Sequence, residues 1–239
     1  MKQRFFIAGT DTDVGKTRVS ESLLIGARLQ GLSTVGLKPL AAGAVDIDGE
    51  QRNPDAVCLM RASSVAMPYD TVNPVLLHEP MAPHIAADRE GKRLSLQALA
   101  GYCRGALMSA RADFTLIEGA GGWYVPLNQR ETLAGFPQAL NLEVVLVVGM
   151  KLGCLNHALL TAEAIQRDGL TLRGWIANCL EPDMNGLEEN IQTLQQRIRA
   201  PLVGVHPYVK EGEQPNANWV NPALFTSPGN RQSSAQPNE

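Results

Sequence analysis

Apolar residues recur along the chain in two rhythms. Short, nearly unbroken runs read as strands at residues 4–8, 34–38, 114–118, 144–149, 174–178 and 202–205, the second ended by Pro39. Between them the spacing turns helical. Val19, Leu23, Leu24 and Ala27 share one face of a helix expected over Lys16–Leu29, with Gly31 as its stop. Helices are also expected over residues 94–110, 156–167 and 186–199, with Gly169 closing the one before it. Strands alternating with helices predict a mostly parallel sheet covered on both faces, a doubly wound α/β fold. Strands apolar on both sides are what such a sheet requires. The Pro-rich stretch over 44–83 follows neither rhythm and is expected to be one long irregular loop. Residues 226–239, rich in Ser, Pro, Asn and Gln, are expected to form a disordered tail behind a single domain spanning 1–225.

Composition narrows this picture. The chain has 239 residues, 44% of them hydrophobic but only 5% aromatic, so the core must be built from aliphatic side chains. A net charge of -3 without a basic run disfavours a nucleic-acid partner. The apolar run at the N-terminus is too short for a signal peptide, and no stretch is long enough to span a membrane. Cys58, Cys103, Cys154 and Cys179 lack metal-site spacing and read as free thiols. A cytoplasmic location is therefore expected.

The chemistry lies at predicted strand ends, where doubly wound sheets bind ligands. The motif Gly9-Thr10-Asp11-Thr12-Asp13-Val14-Gly15-Lys16-Thr17 follows the first strand and opens the first helix. It is a P-loop with one residue more than the plain spacing, which makes the fold P-loop NTPase-like. Glycines let the backbone close around phosphate, and amides at a helix start face the anion. Lys16 supplies a charge for the β- and γ-phosphates, and the Thr17 hydroxyl suits Mg²⁺. Lys38 and Glu118 end the strands at 34–38 and 114–118. The first could neutralise transferred phosphate, and the second could reach a nucleotide-bound Mg²⁺. Asp55 reads either as a further loop carboxylate or as a helix N-cap, the latter being the better reading in isolation.

Taken in order, these motifs resemble the dethiobiotin synthetase family. The resemblance rests on GTDTDVGKT at 9–17, GLKPLAAG at 36–43, RNPDA at 52–56, VNP at 72–74, PHIAA at 83–87 and IEGAGGWYVPL at 117–127. It continues through residues 147–165, GWIAN at 174–178 and APLVG at 200–204, so it reaches to about Val209. It implies an ATP-dependent cyclo-ligase acting on 7,8-diaminononanoate. One amine captures CO₂ as a carbamate, the γ-phosphoryl group of ATP activates it as a mixed anhydride, and the second amine closes the cyclic urea. Dethiobiotin, ADP and phosphate are the products.

Residue by residue, the resemblance implies that Lys16 and Lys38 stabilise carbamate and phosphate, with Thr12 close to the reacting centre. Thr17, Asp55 and Glu118 are the implied Mg²⁺ ligands. Asp13, Val14, Gly15, Lys16, Thr17 and Arg18 line the nucleotide, joined by Glu118, Gly119, Ala120 and Gly121. Asn178 reads the adenine edge beside Cys179, Pro207, Tyr208 and Val209 pack near the base, and Glu213, in preference to Glu211, faces the ribose. The implied assembly is a homodimer in which the substrate carboxylate is held by the partner subunit, at the stretch containing Gly153, Cys154 and Asn156. Read alone, that stretch is an ordinary loop with Asn156 as N-cap. The family often has serine where Ala42 stands against the substrate, and losing that hydrogen bond costs about 0.5–1.5 kcal/mol of binding. Position 179, here a cysteine, can be polar in relatives. His84 and His157 read as hydrogen-bonded residues at helix ends, and Trp123 and Tyr124 as core or interface.

Other readings make different demands. A ParA- or MinD-like nucleotide switch requires a signature lysine where Asp11 stands, and a basic or amphipathic tail. A cobyrinate-type amidation ligase requires a glutaminase domain for which the chain has no room. A paralogue with an altered substrate is left open by Ala42.

Overall fold

Alternate residues of the first strand feed two separate cores. Phe5 and Ile7 pack with Val19, Leu23 and Leu24 on one side of the sheet, while Phe6 and Ala8 join Leu99, Ala158 and Trp175 on the other. Both sides are buried, which is why the strand sequences are apolar throughout. The computed structural model describes residues 2–210, 212–213 and 216–221. The tail expected over 226–239 and Glu211 lie outside the described residues.

In chain order the strands are β1 (Gln3–Gly9), β2 (Thr34–Leu37), β3 (Leu40–Ala42), β4 (Val45–Ile47), β5 (Glu50–Arg52), β6 (Val75–Leu77), β7 (Phe114–Glu118), β8 (Glu143–Met150), β9 (Leu172–Cys179) and β10 (Leu202–His206). The helices are α1 (Lys16–Leu29), α2 (Pro54–Ala62), α3 (Tyr69–Val72), α4 (Pro83–Arg89), α5 (Leu96–Ser109), α6 (Gly135–Ala139), α7 (Cys154–Arg167) and α8 (Leu187–Arg197). The main sheet runs β10-β9-β8-β1-β7-β2, parallel throughout. From β1 the chain travels through α1 to the β2 edge, returns to β7 beside β1, and only then continues on the opposite side with β8. That reversal opens a crevice at the carboxyl ends of β1, β7 and β8, the place where such sheets take ligands.

The expected strands and helices occur within a few residues of their boundaries. The expected irregular loop over 44–83 does not. It contains the β4–β5 hairpin, α2, α3 and β6, the last paired in parallel with β3. Two of its prolines begin helices rather than interrupt them: Pro54 is the first residue of α2 and Pro68 caps α3. Asn53, not Asp55, is the N-cap of α2, its side-chain oxygen accepting from Ala56 N at 3.2 Å. Likewise Gly153 caps α7 and Asn156 lies inside that helix. Among the described residues no helix is long and apolar enough to cross a membrane, and the four cysteines are free.

Candidate functional site

The turn between β1 and α1 is built on left-handed backbone. Asp13 has φ 55 and Gly15 has φ 81, and a Cβ on Gly15 would run into the Asn178 side chain. Only glycine takes such a position without strain. The turn delivers α1 with no side-chain cap on its first amides, leaving them to an anion. Asn178, at the end of β9, donates from Nδ2 to Val14 O at 2.8 Å and so braces the loop.

Lys16 curls back under this loop. Its Nζ donates to Asp11 O at 3.1 Å and to Gly121 O at 2.8 Å, both neutral carbonyls. Burial and the nearby Lys38 push its ammonium down to about 8. Asp11, which stands where a nucleotide switch needs its signature lysine, instead pairs through Oδ2 with Lys151 Nζ at 3.3 Å.

Lys38 is treated in the opposite way. It is 4% exposed, and its Nζ meets Glu118 Oε1 at 2.6 Å, Asp55 Oδ2 at 3.1 Å and Gly119 O at 3.2 Å. Burial alone would lower the ammonium, but Glu118 and Asp55 outweigh it and hold the group above the usual lysine value. The same Glu118 Oε1 accepts from Thr17 Oγ1 at 2.9 Å. Lys38, Thr17, Asp55 and Glu118 therefore converge on one point beside the phosphate loop, although 101 residues separate Thr17 from Glu118. Lys16 lies next to them, its charge coupled to Lys38, Glu118 and Asp55.

The donor set fits Mg²⁺. A hydroxyl and two carboxylates are hard oxygen ligands, and Mg²⁺ takes only one or two carboxylates alongside phosphates and waters. The second oxygen of Glu118, Oε2, is buried without a hydrogen-bond partner among the described residues. A buried carboxylate oxygen left bare in this way is what a cation would satisfy.

The remaining candidates are more dispersed. Thr12 is exposed at the mouth of the loop, and Gly119, Ala120 and Gly121 follow Glu118 directly. Arg18 donates to the Glu213 carbonyl at 3.0 Å, and the Glu213 carboxylate accepts from Lys210 N at 3.1 Å, so both are tied to the segment that carries Pro207, Tyr208 and Val209. Cys179 is buried, and burial raises its thiol. Ala42 ends β3, and its carbonyl lies 3.5 Å from Asn53 Nδ2. At α7, Gly153 has φ 92 and is exposed. The Cys154 side chain is buried and its amide already donates to Lys151 O at 2.9 Å, which leaves any anion there to the neighbouring amides.

His84 was expected to be hydrogen-bonded, but its Nδ1 is buried without a partner among the described residues. Trp123 is core, its Nε1 donating to Asp168 Oδ2 at 2.8 Å, whereas Tyr124 is 45% exposed. A separate cleft of about 570 Å³, lined in part by Tyr69, Asn73, Arg93 and Tyr102, includes none of the phosphate-loop residues.

Comparison with known proteins follows the same line. A family model described as an AAA domain matches residues 3–216. The chain is 59% identical to the ATP-dependent dethiobiotin synthetase BioD of Cellvibrio japonicus over 206 residues, covering 86% of this chain and 90% of that one. It is 50% identical to that of Pseudomonas paraeruginosa over 85% of this chain and 89% of the relative. It is 43% identical to BioD 1 of Escherichia coli O157:H7 over 94% of this chain and the whole of the relative, 100%. Among solved structures, the MinC:MinD cell division protein complex of Aquifex aeolicus matches with a TM-score of 0.52 at 12% identity, covering 87% of this chain and 83% of that chain. MinD of Pyrococcus horikoshii, complexed with Mg-ADP, matches with a TM-score of 0.50 at 17% identity, covering 87% and 82%. At such identity these two likenesses show the doubly wound P-loop fold alone.

Proposed function

The chain belongs to the ATP-dependent dethiobiotin synthetase family, and from that premise we propose that its phosphate-loop crevice carries out the family's reaction with the residues described above. The substrates are 7,8-diaminononanoate, CO₂ and ATP, and the reaction serves biotin biosynthesis. The observation that carries the assignment of the reaction centre is the convergence of Thr17 and Lys38 on Glu118, with Asp55 paired to the same Lys38 ammonium, beside Lys16 and the open start of α1.

An amine and CO₂ combine to a carbamate with loss of a proton. A carbamate oxygen is a poor leaving group, so it first takes the γ-phosphoryl group of ATP and ADP departs. The second amine attacks the carbonyl carbon, phosphate leaves, and a proton is lost as the ring closes. No side chain need form a bond in this sequence. The protein positions the reactants and offsets the charge spread over the transferred phosphoryl oxygens.

Lys16 and the first amides of α1 hold the β- and γ-phosphates, with Asp13, Val14, Gly15, Thr17 and Arg18 around them. Lys38 stands between carbamate and phosphoryl group, with Thr12 at the mouth. Mg²⁺, held by Thr17, Asp55 and Glu118, neutralises phosphate charge when bound. Gly119, Ala120 and Gly121 allow the nucleotide to approach closely. Asn178 and Cys179 border the base with Pro207, Tyr208 and Val209, and Glu213 borders the ribose. The diamine lies along Ala42. Its carboxylate is taken by the Gly153–Asn156 region of a second subunit. That reading is supported by the start of α7, which has no side-chain cap, and by the exposure of Leu152 and Leu160, 98% and 59%, which a homodimer would cover.

The deciding experiment supplies diaminononanoate, bicarbonate and MgATP to the purified protein and follows the products by mass spectrometry. A cyclic urea with one ADP and one phosphate per turnover is expected. Rapid phosphate release without the diamine would instead favour a nucleotide switch.

A further inference from the structure

Two motifs, RNPDA and VNP, contain asparagines to which the reaction assigns nothing, yet both are buried at the back of the reaction centre: Asn53 is 5% exposed and Asn73 2%. Asn73 Nδ2 donates to the carbonyl of Lys38 at 2.6 Å and to Val75 O at 3.3 Å. Its Oδ1 accepts from Tyr69 OH at 2.9 Å, and that hydroxyl in turn accepts from Asn53 N at 2.7 Å. Asn53 caps α2, whose second residue is Asp55, and the Asp55 carboxylate meets Lys38 Nζ at 3.1 Å. The contacts close a ring that leaves Lys38 by its carbonyl and comes back to it at its ammonium. The Lys38 amide is held from the same side, donating to Val72 O at 2.9 Å.

We propose that Tyr69 and Asn73 are positioning residues for the reaction centre, fixing Lys38 and Asp55 relative to each other through this closed ring of hydrogen bonds. The inference rests on the reading of Lys38 and Asp55 as parts of that centre. Pro39 follows Lys38 immediately, so the main sheet does not continue through it and β2 ends at Leu37. Lys38 therefore takes its backbone partners from α3 and Asn73 rather than from a sheet neighbour. The Tyr69 hydroxyl joins the α3 side of the ring to the start of α2. Its hydroxyl has one proton and one acceptor role in the ring, and both are used. Phenylalanine at this position would leave Asn53 N and Asn73 Oδ1 unpaired and free the start of α2 to drift. A displacement on the order of 1 Å at a reaction centre costs roughly 10²-fold in rate.

The test is a double-mutant cycle on product formation, with ATP-binding stoichiometry measured on every variant to count folded sites. Tyr69→Phe is expected to lower kcat roughly tenfold or more, with one ATP still bound per chain. In an Asp55→Asn background the same substitution is expected to cost under about twofold, since its effect passes through Asp55. A merely structural tyrosine would cost the same factor in both backgrounds, and that result overturns the proposal, as does an unchanged kcat. Loss of turnover in Asp55→Asn but not in Tyr69→Phe sinks this inference alone. No loss in Asp55→Asn sinks the reading of the centre together with it. Should Tyr69→Phe bind less than one ATP per chain, Asn73→Ser, which also breaks the link to Tyr69, goes through the same cycle and must show the same non-additivity.

Discussion

Two lysines, both buried within the same crevice, are in opposite electrostatic states. Among the described residues Lys16 hydrogen-bonds to the carbonyls of Asp11 and Gly121 and forms no ion pair, and burial has pushed it down to about 8. Lys38 has two carboxylates, which hold it above the usual lysine value despite its burial. The first is a cation awaiting an anion, held near the bottom of the range in which it remains charged at neutral pH. The second is already compensated and must share its carboxylates with whatever enters. The proposed phosphoryl-transfer site has a use for both kinds. An uncompensated charge supplies binding energy for the nucleotide, while a compensated one leaves carboxylates in place for a cation without leaving them bare in its absence.

Removing the lysines tests the contrast. Lys16→Ala deletes the uncompensated cation beside the start of α1 and should lower turnover by about 10³-fold; steady-state assay of dethiobiotin formation checks this, and retention of activity would break the contrast at its functional end. Stability should move in opposite directions. Lys38→Met leaves Glu118, 1% exposed, as an uncompensated buried charge beside Asp55, and should cost about 3–5 kcal/mol, or roughly 10 °C in Tm. Lys16→Met removes a buried charge that has no carboxylate partner of its own and should raise Tm by a few degrees at pH 7, to about 2–4 °C per kcal/mol gained. Thermal melts of the two variants side by side decide the matter, and two falls of equal size would refute it.

The smallest effect is a fraction of a proton. The folded-state value of Lys16 lies below its ordinary one, so between about pH 8 and 10.5 the unfolded chain binds more protons than the folded chain, and wild-type stability gains from this group as pH rises through that window. The advantage of Lys16→Met should shrink over the same window. Phosphate reverses the shift, because an anion favours the charged ammonium. Binding of a non-hydrolysable MgATP analogue at pH 8.5 should therefore take up roughly three-quarters of a proton, and at pH 7 only about a tenth. Calorimetry in buffers of different ionisation enthalpy reads this directly, and Lys16→Met should abolish the uptake.

The two regions also differ in how visible they are before folding. The phosphate loop is contiguous. Its glycines, Lys16 and Thr17 fall between an apolar strand and an amphipathic helix, so residues 9–29 announce both the fold and the site. The carboxylate end is assembled from residues 38, 55 and 118, and only the two at strand ends carried a local signal. Asp55 in isolation resembled an N-cap, because a carboxylate near Pro54 at a helix start is what capping produces. Asn53 holds that role instead, and Asp55 is released toward Lys38. The prolines of residues 44–83 were misleading for a related reason. A proline that starts a helix and one that prevents a helix look alike until the neighbouring cap is known.

The amino-acid sequence by itself determined the parallel sheet, the phosphate loop, the alternation of the six main-sheet strands with α1, α5, α7 and α8, and the family. Those properties depend on periodicity and short motifs, which are local. Tertiary structure alone decided that Lys38 and Lys16 would differ in charge balance, that Glu118 would be shared between Thr17 and Lys38, and that Tyr69 and Asn73 would close a ring behind them. Each of those depends on distances between residues far apart in the chain, and an ammonium's energy in a buried site is set by how many carboxylates lie within a few ångströms, which no local pattern specifies.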